Sequence, residues 1–105
     1  MHGGIIGFSQ KVWSVKPVLA NKDSSITLTY SSPAGEENYP GNLKVELTYT
    51  LSEDNELIIQ YSAKTTEDTV VNLTHHSYFN LDGHKSSVAN QELTVNTLRM
   101  LETTV

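Results

Sequence analysis

Residues 71–81 read Val71-Asn72-Leu73-Thr74-His75-His76-Ser77-Tyr78-Phe79-Asn80-Leu81, with two histidines, two aromatics, two hydroxyls and two asparagines in one short run. Its flanks read as β-strand, so polar chemistry is concentrated where sheet core is expected. Side chains alternate across an extended segment, which puts His76, Tyr78 and Asn80 on one face and His75, Ser77 and Phe79 on the other, unless a bend at Ser77 intervenes. The first set lines up an imidazole, a phenol and an amide. Imidazole gives or takes a proton near neutral pH without extreme tuning, which suits general acid or base work. From residue types alone the plainer reading is that both histidines are partly exposed strand residues with no chemical role. Metal binding by His75, His76, Asp82 and His84 is disfavoured, because adjacent strand histidines diverge and no ligand pair has a spacing that puts both on one face.

Strands must position this run. Residues 43–51 alternate strictly, with Leu43, Val45, Leu47, Tyr49 and Leu51 facing in and Lys44, Glu46, Thr48 and Thr50 facing out. Residues 56–63 repeat the pattern through Leu57, Ile59, Tyr61 and Ala63, and the polar residues 52–55 between them predict a hairpin. Residues 25–31 alternate as well, and residues 11–19, rich in β-formers and carrying Pro17, read as a strand with an edge, bend or end at the proline. Residues 32–42 hold two prolines and two glycines and read as a loop. Its adjacent Glu36 and Glu37 read as solvated charge rather than a catalytic pair. A turn at residues 82–87 carries His84, most simply a loop histidine, and Leu93 and Val95 offer a last short strand. No helical periodicity intervenes, so the expected fold class is all-β, an antiparallel β-sandwich.

Composition narrows the function classes. With 105 residues the chain is one domain's length at most. Twelve acids against seven bases give a net charge of −5, which argues against nucleic acid and against an anionic membrane surface. No run approaches the length of a transmembrane helix, and no basic stretch followed by an apolar core marks a signal peptide. The absence of cysteine removes disulfides and thiolate metal sites, and a cytoplasmic setting is the default expectation.

The run at residues 72–81 resembles the signature of the aldose 1-epimerase (galactose mutarotase) family, where Asn-His-Ser-Tyr-Phe-Asn-Leu is typical. His2-Gly3-Gly4-Ile5-Ile6-Gly7-Phe8, followed by Trp13, is similar to the family's His-Gly-Gly segment with its downstream glycine and tryptophan. Residues 32–42 resemble the family's Asp-Gly-Glu-Glu-Gly-Tyr-Pro-Gly loop, with Ala34 and Asn38 as departures, and the resemblance assigns its glutamates no catalytic role. These motifs occur in family order and span essentially the whole chain.

The resemblance implies a free aldose as substrate, interconversion of its α and β anomers, no cofactor, and part of a larger supersandwich fold. It maps the catalytic acid onto His76 and sugar contacts onto His2, Ser77 and Tyr78. His75 stands where the family usually has asparagine. The family's C-terminal glutamate base, a sugar-binding aspartate and an upstream arginine have no counterpart here. The expectation is therefore a partial epimerase domain over residues 1–105, truncated at both ends, inactive alone, and poorly stable or self-associating through exposed sheet edges. The alternative is a non-catalytic carbohydrate-binding β-sandwich using Trp13, Tyr78 and His76 as a sugar platform, and a third reading is a structural β-domain that pairs through its edges.

Overall fold

The computed structural model describes residues 3–16, 24–97 and 99. The chain divides into two compact units, Met1–Leu73 and Thr74–Val105. The first holds a four-stranded antiparallel sheet of order β1-β2-β3-β4, formed by β1 (Ser14–Lys16), β2 (Ser24–Ser32), β3 (Leu43–Leu51) and β4 (Leu57–Thr65). The architecture is all-β, and among the described residues the few helical ones are short 3₁₀ turns at Phe8–Gln10, Glu36–Asn38 and Val88–Asn90.

Register turns the sequence alternation into a two-faced sheet. Leu28 lies opposite Leu47, Tyr30 opposite Val45, and Ile26 opposite Tyr49, while Val45 in turn faces Ala63, Leu47 faces Tyr61, and Leu51 faces Leu57. All of these side chains project from one face, because the side-chain period of two is kept in step across three strands. The opposite face carries Thr27 against Thr48, whose hydroxyl oxygens lie 2.9 Å apart, and the Lys16–Glu46 ion pair at 2.5 Å. A slip of one residue would move every apolar side chain to the polar side.

The core sits at one end of the apolar face. Val45 is fully buried. Near it Phe8, Trp13 and Tyr30 form an aromatic cluster with ring centroids 5.4–6.0 Å apart, the Phe8 ring edge-on to both partners. The Trp13 indole N–H donates to the Phe8 carbonyl at 3.0 Å, so the half-buried ring leaves no orphaned donor. At the other end of the same face Ile26, Leu51, Leu57 and Tyr61 remain exposed. The sheet is thus one apolar-faced layer of the kind that packs in a β-sandwich, covered at the end where residues 8–13 lie against it.

The hairpin β3–β4 closes through residues 52–56. Ser52 and Glu56 are joined by a backbone bond of 3.0 Å, the Ser52 hydroxyl accepts from the Glu56 N–H at 3.2 Å, and Asn55 takes the left-handed conformation that asparagine tolerates well. Strands β2, β3 and β4 match the predicted segments to within two residues. The strand expected over residues 11–19 is realised as β1 alone among the described residues, and residues 17–19 lie outside them.

Two strand expectations are corrected. Residues 71–81 form no strand, and neither do Leu93 and Val95 with their neighbours. Their residue types favour an extended chain, but a strand exists only where a second backbone supplies the ladder, and these residues have no such partner among the described ones.

Candidate active site

The family-like residues lie in both units. In the first, His2 is outside the described residues. The backbone just after its two glycines is held from an unexpected direction. Glu37 Oε2 accepts the Ile5 N–H at 2.6 Å and Glu37 Oε1 accepts the Ile6 N–H at 3.1 Å. Gly4 stands at a φ of 104°, and a Cβ there would collide with the Glu37 side chain. Only glycine fits both demands.

The loop that carries Glu37 is itself anchored. Glu36 Oε1 receives the Lys11 ammonium at 2.6 Å and the Tyr30 hydroxyl at 2.8 Å, and Glu36 Oε2 receives the Ser32 hydroxyl at 2.7 Å. The Lys11 and Ser32 hydrogen bonds hold the Glu36 carboxyl below the ordinary carboxylate value, and the Glu36 hydrogen bond raises Lys11 in return. Burial first, and then the hydrogen bond to Glu36, push the Tyr30 phenol up. Glu37 and Asn38 both adopt positive φ, 50° and 66°, a conformation that asparagine tolerates well but glutamate takes only when its surroundings insist. The reading of these acids as solvated charge is therefore corrected: Glu36 is largely buried and fully engaged, and Glu37 is a backbone acceptor. Adjacent glutamates in a Pro/Gly-rich loop gave no warning, because their partners lie as far away as 32 residues in sequence.

In the second unit the alternation expected for the motif survives without a sheet. His76 and Tyr78 pair, with ring centroids 5.2 Å apart and planes inclined at 33°. His75 pairs with the other row: its Nε2 lies 3.0 Å from the Ser77 hydroxyl, and its ring centroid is 6.2 Å from that of Phe79. His76 and Tyr78 are exposed, and Tyr78 is 86% so. An exposed imidazole beside an exposed phenol offers a proton carrier and a flat apolar surface side by side. The structure brings two predicted site residues together, His76 and Tyr78, and sets Ser77 with His75 instead.

Asn80 leaves the row it was expected to extend. Its Nδ2 donates to the Ser86 carbonyl at 2.8 Å, and its Oδ1 accepts from the Asp82 N–H at 3.1 Å and from Gln91 Nε2 at 2.8 Å. Gln91 Nε2 also reaches Asp82 Oδ2 at 3.3 Å. The amide ties off the turn after the motif and fixes where the His76–Tyr78 segment ends. Gln91 carried no signal for this role in sequence. His84 lies on that turn, exposed. Among the described residues no group of three His, Cys, Asp or Glu side chains is arranged to hold a metal ion, and no helix is long and apolar enough to cross a membrane.

A family model described as aldose 1-epimerase matches residues 1–105. The chain belongs to the aldose 1-epimerase family. Galactose mutarotase of Homo sapiens is 46% identical over 96 residues, which cover 90% of this chain and 27% of the human protein. The Mus musculus galactose mutarotase is likewise 46% identical over 96 residues, with the same coverage. Aldose 1-epimerase of Escherichia coli K12 is 37% identical over 95 residues, again 90% of this chain and 27% of the relative. The chain thus spans about a quarter of the length of the relatives it matches. No solved structure matches it.

Within this epimerase-family chain, the two similar motifs carry unlike support. The backbone just after the glycine pair is clamped, at the Ile5 and Ile6 N–H groups, by a carboxylate from the loop between β2 and β3. The histidine motif is held at its far end by a side-chain amide.

Proposed function

We propose that the chain serves aldose 1-epimerisation, the interconversion of α and β anomers of a free hexose such as galactose or glucose. His76 is the general acid, and His2, Ser77 and Tyr78 contact the sugar. The observation that carries this reading is the exposed His76 imidazole paired with the Tyr78 ring at 5.2 Å, inside the run that resembles the family signature. In the reaction a base takes the proton of the C1 hydroxyl while His76 gives a proton to the ring oxygen. The bond from C1 to the ring oxygen breaks, the resulting aldehyde turns about C1–C2, and closure reverses both proton transfers on the other face.

The same reading puts the family's glutamate base, sugar-binding aspartate and arginine outside these 105 residues, which match about a quarter of the relatives' length. A well-placed base contributes roughly 10²–10⁴-fold, so residues 1–105 alone are proposed to be inactive or nearly so. The exposed apolar end of the sheet supports self-association when the chain is studied alone. A cytoplasmic setting belongs to the same reading. The alternative, a sugar-binding platform that includes Trp13, is weakened by the packing of that ring against Phe8 and Tyr30.

The test follows the optical rotation of freshly dissolved α-galactose with the chain, with His76→Ala and with buffer alone, beside the His76 ring signals in NMR as galactose is added. Acceleration lost in the variant establishes the acid and shows that another group supplies the base. Rates equal to buffer with a galactose-dependent shift of the His76 ring leave a sugar site without its base. Equal rates and an indifferent His76 ring sink the proposal.

A further inference from the structure

The Ile5 side chain does not hold its own segment, since it is 90% exposed, and Ile6 is only about half covered at 46% exposure. What fixes this backbone is a carboxylate. Both oxygens of Glu37 are used on successive N–H groups, at 2.6 and 3.1 Å, across more than thirty residues of sequence. Charge-assisted bonds of this bidentate kind are directional as well as strong. Gly4, at a φ of 104°, leaves the space that the Glu37 side chain fills.

The acceptor is itself preset. Gly35, Glu37 and Asn38 all have positive φ, the Gly35 N–H is closed onto the Tyr39 carbonyl at 2.8 Å, and the Ala34 N–H onto Asn42 Oδ1 at 3.0 Å. Neighbouring Glu36 fastens the same loop to Lys11, Tyr30 and Ser32. The two adjacent glutamates therefore act in series, with Glu36 pinning the loop to the sheet and Glu37 extending from it to the Ile5 and Ile6 N–H groups.

We propose that Glu37 is a positioning residue, whose carboxylate fixes the Gly4–Ile6 backbone and so presets the segment that follows His2. That this segment serves sugar binding rests on the function proposed above. A preset segment spares the ordering cost that a mobile one bears on binding, and an otherwise strained loop conformation is then explained by the acceptor it delivers.

The experiment uses the full chain and amide hydrogen exchange resolved by NMR, with and without galactose, for the wild type, Glu37→Ala and Glu37→Gln. Exchange at Ile5 and Ile6 is expected to accelerate about tenfold in Glu37→Ala, the change that goes with losing a hydrogen bond to a charged acceptor. Val45 and Leu47 should stay protected, and Glu37→Gln, which keeps one acceptor oxygen, should recover part of the effect. If Glu37→Ala loses the sheet signals, Gly4→Ala takes its place, since it crowds the carboxylate while leaving Glu37 in the chain. Unchanged exchange at Ile5 and Ile6 in a folded variant overturns the proposal. Galactose shifts at Gly3 and Gly4 that weaken in Glu37→Ala extend it to the sugar. Equal galactose affinity in both proteins overturns that extension. Accelerated exchange with no galactose response even in the wild type supports the positioning role and defeats the sugar reading.

Discussion

Lys11 Nζ lies 2.6 Å from Glu36 Oε1, with both side chains largely shielded from water. This pair joins the segment after the first 3₁₀ turn to the loop between β2 and β3, and Tyr30 and Ser32 complete the set around the same carboxylate.

Stability should therefore fall away on two sides of a plateau. Glu36 is lowered from its ordinary 4.5, so the native state holds its proton less tightly than the unfolded chain, and its contribution is full above 4.5 and lost as pH falls through the folded value. Lys11 is raised from 10.5 and Tyr30 from 10.0, so their contributions are full below pH 10 and fade as pH rises through the folded values. Urea titrations across this range should show both limbs. Glu36→Gln should reduce the acid limb below pH 4.5, leaving the share of Glu46, which the Lys16 hydrogen bond also lowers, and weaken the alkaline one, since Lys11 loses its partner charge; an unaltered acid limb would count against the assignment.

Burial along the apolar face predicts unequal costs for equal truncations. Val45, fully buried beside the aromatic cluster, should cost about 2 kcal/mol on Val45→Ala, from two lost methyls and the void they leave. Leu51, on the same face and strand but 57% exposed, should cost less than about 1 kcal/mol on Leu51→Ala despite removing more atoms. Equilibrium denaturation of both variants checks the order.

Asn80→Asp keeps the acceptor used by Asp82 and Gln91 but removes the donor to Ser86 and adds a charge near Asp82. We expect faster amide exchange across residues 82–91 and broadened His76 and Tyr78 ring signals, while the β3–β4 hairpin is unaffected. Unchanged exchange there would mean that the amide does not hold the turn.

Strand β4 pairs only with β3 among the described strands and shows Leu57, Ile58 and Tyr61 to solvent. Such an edge invites another chain, and an edge lysine discourages it. Sedimentation should show concentration-dependent association for the wild type and a shift toward monomer for Ile58→Lys. Equal association in both would move the contact elsewhere on the surface.

The strict alternation of residues 43–51 and 56–63 was enough to determine β3, β4 and the hairpin, and the match of residues 1–105 to the family follows from sequence alone. Both depend on local order along the chain: a period of two, a polar turn, a run of named residues. Three things were settled only by the folded chain. The runs at residues 71–81 and 92–96 have strand-like residues but no ladder partner among the described residues, and pairing is a property of two segments, never of one. Asn80, placed beside His76 by alternation, is drawn away by Ser86 and Gln91. Glu36 and Glu37, ordinary surface acids by their neighbours in sequence, acquire their roles because the fold carries Lys11, Tyr30 and the Ile5 and Ile6 backbone to them. Hydrogen bonds act over about 3 Å, and only folding brings groups thirty residues apart within that range.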